Sequence, residues 1–517
     1  MPQMNCIVVG SGPSGAAASK TLLDSGAKVT MLDVGHRLEP ERQRVVDQLA
    51  AQEPALWDKS LVESLRGRMD VGVSGLPQKM VYGSEYAYAD PFNAVRLVQH
   101  GTELFTSQAL GGLSNVWGSN LLPFLGVDIG DWPLGSGELA PFYQRALELM
   151  PYAARQDGLS GIMPLYADHH HPLEMSRQAA AIMADLEKHK ARLARQGVAF
   201  GQSRLAIDAR QCRYCGLCLY GCPYGLIYSS AQTLENLKAH PDFKYMDKAS
   251  VESVEEREGI AEISVKSFPS GQKTTHRADR VFLAAGAVGS AKILLQSIGA
   301  YAREIEFKDS QYFLAPMLRF QGTEGVESEK LQTLSQIALV INDPQTSRKS
   351  VEMLIYTYND MFDRALGKLL PWHFLKKPFL SRLFVVQGYL HSDDSTPIRM
   401  SLSQEGELNM APGTNPRART AMCKVKSKLR EIQSSMGAFA IPGFTKLGAP
   451  GKSYHIGASF PMRGKPHGFE SDTLGRPVGF GRVHLVDASC LPSIPSTNIT
   501  LTVMANAMRI ATLAARE

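Results

Sequence analysis

Near its start the chain reads NCIVVGSGPSGAAASKTLLDSGAKVTMLDVG, and this stretch restricts the fold more than any other. The apolar run IVV leads into GSGPSG, where Gly10, Gly12 and Gly15 take the G-x-G-x-x-G spacing. Small and apolar residues then recur at helical spacing, and a second apolar run ends at Asp33. That order predicts strand, turn, helix and strand, the opening of a parallel sheet in an α/β Rossmann-like domain. Gly10 permits the tight turn, Gly12 lets a pyrophosphate approach the backbone, and Gly15 lets the helix lie close to the strand, helped by Ala16, Ala17 and Ala18. The helix N-terminus offers free N–H groups and a positive dipole end to phosphates. Asp33 at the strand end can accept hydrogen bonds from ribose hydroxyls, and its charge would repel the 2′-phosphate of NADP. A glycine turn without a ligand is the plain alternative; the complete strand–turn–helix–strand context argues against it. These residues alone do not separate FAD from NAD.

The remaining chain, within a total of 517 residues, is long enough for two domains. No internal repeat or low-complexity tract occurs. Residues from Gly35 to about Gly75 read as helical and polar, and 172–197 carry apolar positions at helical spacing. VESVEEREGIAEISVKSF alternates as a hairpin does, RVFLAAGAVGSAKILLQSIG reads as strand, glycine turn and helix, and 301–440 are rich in strand-like segments. The net charge of +5 is small for this length and does not indicate a nucleic-acid partner. No run of eighteen apolar residues predicts a membrane-spanning helix. The N-terminus enters a strand pattern at once, without a basic segment or cleavage site, which leads us to expect a cytoplasmic protein.

Four segments together resemble the glucose–methanol–choline (GMC) oxidoreductases, FAD-dependent alcohol oxidases and dehydrogenases. They are the N-terminal glycine turn, LGGLSNVWGSN, RVFLAAGAVGSAKILLQSIG, and a C-terminal part with YHIGASFPM followed by GRPVGFGRVHLVDASCLPSIPSTNITLTVMANAMRIA. They stand in family order across nearly the whole chain. The resemblance implies an FAD-binding domain built from residues 1–130, 201–300 and 441–517. It also implies a helical insertion at 131–200 and an α+β substrate domain at 301–440, whose antiparallel sheet roofs the flavin. It places His455 at the family's catalytic histidine and Asn498 at its second active-site residue. An imidazole titrates near neutral pH and can take a hydroxyl proton; an amide can only orient the hydroxyl. The resemblance places Gly111, Gly112, Ser114, Asn115, Val116 and Trp117 in the loop beside the flavin ring, with Ser114 and Asn115 as hydrogen-bonding partners of the cofactor. Asp487, Ile499 and Thr500 are implied at the cofactor too, the helix starting near Ile499 aiming its N-terminus at the pyrimidine end. Some members bind FAD covalently through a histidine of the glycine-rich loop. Asn115, Val116 and Trp117 stand there instead, so FAD is expected to be non-covalent.

CRYCGLCLYGCP holds Cys212, Cys215, Cys218 and Cys222, four of only seven cysteines, followed by Pro223. C-x2-C-x2-C-x3-C-P is the bacterial ferredoxin run. It supports a [4Fe–4S] cluster held by all four, or a [3Fe–4S] cluster held by three, as in some sugar dehydrogenase flavoproteins of this family. A structural zinc site, a packed reduced loop and a disulfide pair remain open beside it. Two weaker signals are His169, His170 and His171, read as an exposed loop, and the basic amphipathic stretch 365–386. The latter reads as a partly buried lid, with peripheral membrane contact as the minority alternative, and Pro371 and Pro378 are expected to break any long helix there. The functional expectation is oxidation of a primary or secondary alcohol, a sugar or sugar-containing compound by family analogy, with electrons passed to an external acceptor. The alternatives are an oxygen-using oxidase of a lipid or steroid alcohol, and an electron-transfer flavoprotein subunit with an inactive alcohol site.

Overall fold

The computed structural model describes residues 3–68, 77–367 and 373–517. Part of the amphipathic stretch, including Lys368 and Trp372, lies outside the described residues. Within it, helix His373–Leu380 accommodates Pro378 in its last turn instead of ending there. Among the described residues no helix is long and apolar enough to cross a membrane.

The N-terminal pattern becomes the centre of a five-stranded parallel sheet. Strand Asn5–Val9 pairs with Lys28–Leu32 on one side and Arg280–Leu283 on the other. Phe243–Met246 and Val483–Leu485 complete the edges, so segments far apart in the chain share one sheet. A parallel sheet is covered on both faces, and its strands are accordingly almost continuously apolar. Helix Pro13–Asp24 packs on helix Thr500–Ala514, and Ala16, Ala17, Ala18, Met504 and Ala505 are fully buried. Helix Gly286–Ser297 follows strand Arg280–Leu283, as its sequence predicts.

Two antiparallel systems flank this core. One links Ile456–Gly457, Glu304–Asp309, Ile398–Leu402 and Glu407–Pro412, with Arg96–Gln99 added in parallel. The other is a seven-stranded sheet containing Tyr312–Arg319, Leu383–Tyr389, Val351–Tyr356, Ile337–Ile341 and Val198–Gln202. Strands of 301–440 are thus divided between two sheets, and one strand from before residue 203 joins the larger. The predicted hairpin forms from Ala249–Arg257 and Ile260–Ser267, and the helical pattern of 172–197 becomes Arg177–Lys188 and Lys190–Arg195.

Strand alternation sorts the large sheet into two faces. Phe313, Ala315, Met317, Met353, Ile355, Phe384 and Val386 point to one face and pack under helices Arg177–Lys188 and Pro416–Ile432 in one apolar cluster. Gly388 belongs to this face: a Cβ there would lie 2.1 Å from the Phe313 ring, so only glycine lets the ring lie flat on the strand. The opposite face shows three cross-strand rows, Tyr312–Tyr389–Glu352, Leu314–Gln387–Leu354 and Pro316–Val385–Tyr356. That face looks onto the cavity of the nucleotide-binding domain.

Candidate active site

One cavity of about 520 Å³ runs from the glycine turn to His455 and Asn498. At its first end the glycine spacing has a steric cause. Gly10 has φ +99°, and a Cβ there would meet the Ala284 carbonyl oxygen at 2.4 Å. A Cβ on Gly15 would lie 2.0 Å from the Gly10 carbonyl oxygen. Gly12 has open space around it and faces the cavity, so its missing side chain leaves room for a ligand. Gly12 caps helix Pro13–Asp24 without a side-chain acceptor, and the first-turn N–H groups are left for a phosphate.

Asp33 lines the cavity at the end of its strand. Its Oδ2 accepts from Ser11 Oγ and from Tyr245 Oη at 3.1 Å, while burial pushes its carboxyl up to about 6. Ser11, unremarked in the sequence motif, also accepts from the Gly111 amide at 2.9 Å. One hydroxyl therefore ties the glycine turn, Asp33 and the second glycine loop together.

The second loop supplies cavity wall and its own bracing. Val116 and Trp117 line the cavity. Ser114 donates to the Gly111 carbonyl at 2.6 Å and accepts from the Ser230 amide at 3.0 Å. Asn115 donates to the carbonyls of Leu110 and Gly112 and accepts from Ser229 at 2.9 Å. Both side chains brace the loop, whose left-handed Gly111 and Gly112 need external support, and Ser114 lines the cavity as well. Trp117 is fixed by its indole N–H on the Tyr228 carbonyl at 2.8 Å, and Lys79 Nζ binds the Trp117 carbonyl at 2.6 Å.

At the far end, Asp487 caps the short turn Ala488–Cys490 and accepts from Ser290 Oγ at 2.5 Å. Helix Thr500–Ala514 starts at the cavity with Ile499 as an N-cap that supplies no side-chain acceptor. Helices Pro13–Asp24, Gly286–Ser297 and Thr500–Ala514 thus all start at one cavity without a side-chain cap, and the bare Gly12 leaves room there for a pyrophosphate. This donor set fits FAD: the residues 10–14 turn and Asp33 would hold the ADP half, and Val116, Trp117, Ile499 and Thr500 the flavin.

His455 Nε2 lies 3.1 Å from Asn498 Nδ2. The His455 ring stacks on Tyr389, with centroids 4.7 Å apart and 28° between planes. The histidine is held through its backbone: its N–H donates to Ser453 Oγ at 2.9 Å, and its carbonyl accepts from the Ser310 amide at 2.9 Å. Ser453 Oγ in turn donates to Asp309 Oδ1, whose Oδ2 accepts from the Gly451 amide at 2.8 Å. Burial pushes Asp309 up to about 7 and His455 down to about 4. His455 is therefore neutral at physiological pH and able to accept a proton. His455 Nδ1 and Asn498 Oδ1 have no hydrogen-bond partner within the protein.

Behind Asn498 stands Glu352, fully buried, with no hydrogen-bond partner on either carboxyl oxygen. Burial pushes it up to about 8, opposed by the nearby Asn498 backbone amide. Sequence reasoning missed Ser11, Asp309, Glu352 and Tyr389. Glu352 alone left a trace, as the only charged residue in the apolar strand VEMLIY.

The structure gives the cluster expectation for the cysteine run no support. All seven cysteines are free thiols, Cys218 and Cys222 buried and Cys212 and Cys215 half-buried. Among the described residues no three His, Cys, Asp or Glu side chains come together as a metal-holding group. Burial pushes Cys212 and Cys222 up to about 11 and Cys215 to about 12, and the neighbouring Cys218 raises all three further. The loop instead packs through Cys218 against Leu205, Ile207 and Leu334, while Leu219 reaches the cavity wall. His169 and His171 are exposed, and His170 Nδ1 lies 3.1 Å from the Ala154 carbonyl, as suits a surface loop.

Residues 15–305 match the GMC oxidoreductase family. No curated protein matches the chain by sequence. Among solved structures, pyridoxine 4-oxidase from Mesorbium loti is similar over 100% of both chains, with a TM-score of 0.61 at 12% identity. That likeness is one of fold: an FAD-binding Rossmann-like domain beneath a sheet-rich substrate domain. With more than half its length matched and its fold shared end to end, the chain belongs to the GMC oxidoreductases, FAD-dependent enzymes acting on CH–OH groups.

Proposed function

We propose that the protein oxidises a primary or secondary alcohol in the cavity between the two domains, with His455 as general base and Asn498 as its orienting partner. The observation that carries this reading is the 3.1 Å approach of His455 Nε2 to Asn498 Nδ2 in the cavity that holds the glycine turn. With the amide in this orientation, Asn498 donates and the neutral imidazole presents its lone pair at Nε2. A substrate hydroxyl entering between them donates its proton to Nε2 and accepts from Nδ2, which aligns the carbinol carbon. Stacking on Tyr389 and the backbone bonds to Ser453 and Ser310 hold the imidazole in place. Bound, non-covalent FAD supplies at N5 the acceptor for the hydride that leaves the carbinol carbon. The open N–H groups of helix Thr500–Ala514 provide positive potential beside the site. Tyr312, Tyr356 and Tyr389 line the same cavity as His455 and Asn498.

The electrons then pass to an external acceptor. Seven free thiols support residence in a reducing, cytoplasmic compartment. The test is anaerobic mixing of the holoenzyme with alcohols while the flavin absorbance is followed. His455→Ala is expected to slow bleaching by two to four orders of magnitude, the usual scale of general-base catalysis, while FAD stays bound. Unchanged bleaching in that variant refutes the assignment. A flavin that no alcohol reduces favours the electron-transfer reading.

A further inference from the structure

The positive charge of the chain is gathered in one place. Segment 414–447 holds seven lysines and arginines against the single acid Glu431, a net +6, while the whole chain carries +5, so everything outside the segment is close to neutral. Most of the segment is helix Pro416–Ile432, which packs on the large sheet through Met422, Val425 and Leu429. Arg417, Arg419, Lys424 and Arg430 are exposed on the helix, Lys426 is half-buried, and Lys446 is exposed beyond it. These six make no ion pair among the described residues; Lys428 alone is paired, with Asp343 at 3.0 Å and Glu431 at 3.3 Å. Glu431 also accepts from Gln196 at 2.6 Å, so the one acid of the segment is already occupied.

The same segment supplies an apolar rim. Ala438–Ala440 and Lys446–Leu447 both pair with strand Tyr312–Arg319 and edge the large sheet. Phe439 stands opposite Leu318 and Leu447 opposite Phe313, so the two emerge on opposite faces, with Phe444 in the loop between them. Phe320, just past the end of the paired strand, stacks on Phe439 with centroids 6.0 Å apart and 25° between planes. Phe320 and Phe444 are each 58% exposed, Phe439 39% and Leu447 38%. Four large apolar side chains on one sheet edge mark a contact surface, since edges left in water are normally blunted by charge or covered. Of the acids that follow Phe320, Glu327 faces Lys377 and Glu329 faces Arg177, which leaves Glu324 unpaired. A second copy seated here would set +6 against +6, a repulsion that disfavours like-with-like contact. A bilayer with anionic headgroups supplies both things this surface lacks, negative charge for the helix and an apolar medium for the rim.

We propose that segment 414–447, together with Phe320, docks the protein peripherally on an anionic lipid bilayer, the rim entering the headgroup layer and the helix cations facing the lipid phosphates. The test is flotation of the FAD-loaded full chain with vesicles of phosphatidylcholine alone and of phosphatidylcholine mixed with phosphatidylserine, at low and high salt. Binding is expected to the mixed vesicles only, and to weaken as salt shortens the reach of the charges. Each cation near the surface contributes about fivefold to binding, so the triple change Lys424→Gln, Lys426→Gln and Arg430→Gln should weaken it about a hundredfold. Phe444→Ser should weaken it about tenfold. Both variants lie outside the cavity and should keep the flavin content and Tm of the wild type; the comparison of the two vesicle kinds stands even if a variant fails to fold. No flotation with mixed vesicles, equal flotation with both kinds, or flotation unchanged in both variants overturns the proposal. Flotation lost in the triple variant but intact in Phe444→Ser also overturns it, because the rim then does not enter the bilayer. A dimer that Phe444→Ser dissolves, or retention on immobilised polyglutamate without flotation, gives the surface to a second copy or to an acidic protein and overturns the bilayer assignment.

Discussion

Gly15→Ala isolates the contact on which the nucleotide end of the cavity depends. A Cβ at this position would sit 2.0 Å from the Gly10 carbonyl oxygen, and 3.3 Å from Ala284 Cβ. An ordinary non-bonded approach needs roughly 3.5 Å, so the start of helix Pro13–Asp24 must move away from strand Asn5–Val9 by more than about 1 Å. Overpacking of this kind costs about 1–3 kcal/mol, partly offset by about 1 kcal/mol from the better helix propensity of alanine. The movement is largest at residues 12–14, whose amides face the cavity. The loss should therefore fall on FAD binding more than on folding: about 1–3 kcal/mol, or about 5- to 150-fold in Kd. The assay is reconstitution of apoprotein with FAD, followed by quenching of flavin fluorescence, together with the Tm of the apoprotein. Gly12→Ala is the control, because Gly12 has φ −62° and a Cβ added there would meet nothing within 4 Å. It should leave the apoprotein Tm unchanged and weaken FAD only through the ligand's own close approach. A Gly15→Ala protein that binds FAD within twofold of wild type, with an unshifted Tm, would refute the steric argument.

Four further outcomes follow from the site. Glu352 is held up to about 8 by burial, so the folded chain keeps a proton that the unfolded chain gives up near pH 4, and stability falls as pH rises between those values. Glu352→Gln should flatten that fall, by at most about 1.4 kcal/mol per pH unit, in unfolding curves from pH 5 to 8; a parallel pair of curves contradicts it. Asp309→Ala leaves the Gly451 amide and the Ser453 hydroxyl without their acceptor, a loss of about 1–3 kcal/mol. It should lower kcat with FAD content unchanged, and Asp309→Asn should restore part of it. Because burial holds His455 down to about 4, kcat/KM should be flat on the acid side until near pH 4; an acid limb at 6.5 would mean the histidine titrates as if in water. Protein purified without air should contain FAD with less than one iron per flavin, and the buried Cys218 and Cys222 should react with a thiol reagent more slowly than the half-buried Cys212 and Cys215; several irons per FAD with a cluster EPR signal would restore the ferredoxin reading.

Some of this site was legible because its cause is local. The glycine turn, Asp33, and the strand–helix units at 280–297 and 483–514 are each written in one short stretch whose residues contact one another, and period and spacing suffice to read them. His455 and Asn498 were legible through the family resemblance alone, since neither stands in a pattern that implies chemistry. The resemblance places Ser114 and Asn115 at the cofactor. The structure adds a second role, satisfying the carbonyls of Leu110, Gly111 and Gly112, which no spacing rule records. The cysteines illustrate the same limit: ligand spacing is a property of the stretch, but convergence depends on how its loop packs against Leu205, Ile207 and Leu334.

The parallel sheet, its glycine turn and the family can be read from short stretches, because each depends on neighbours along the chain. The chamber under the large sheet forms only on folding. Its roof arises from the register of three strands, Tyr312 beside Tyr389 beside Glu352, drawn from positions 37 residues apart and more. A shift of one residue in any of these strands would exchange Tyr312, Gln387 or Glu352 for Phe313, Val386 or Met353, because successive side chains point to opposite faces. The identity of each wall residue is in the sequence; which face it lines follows from pairing across the fold.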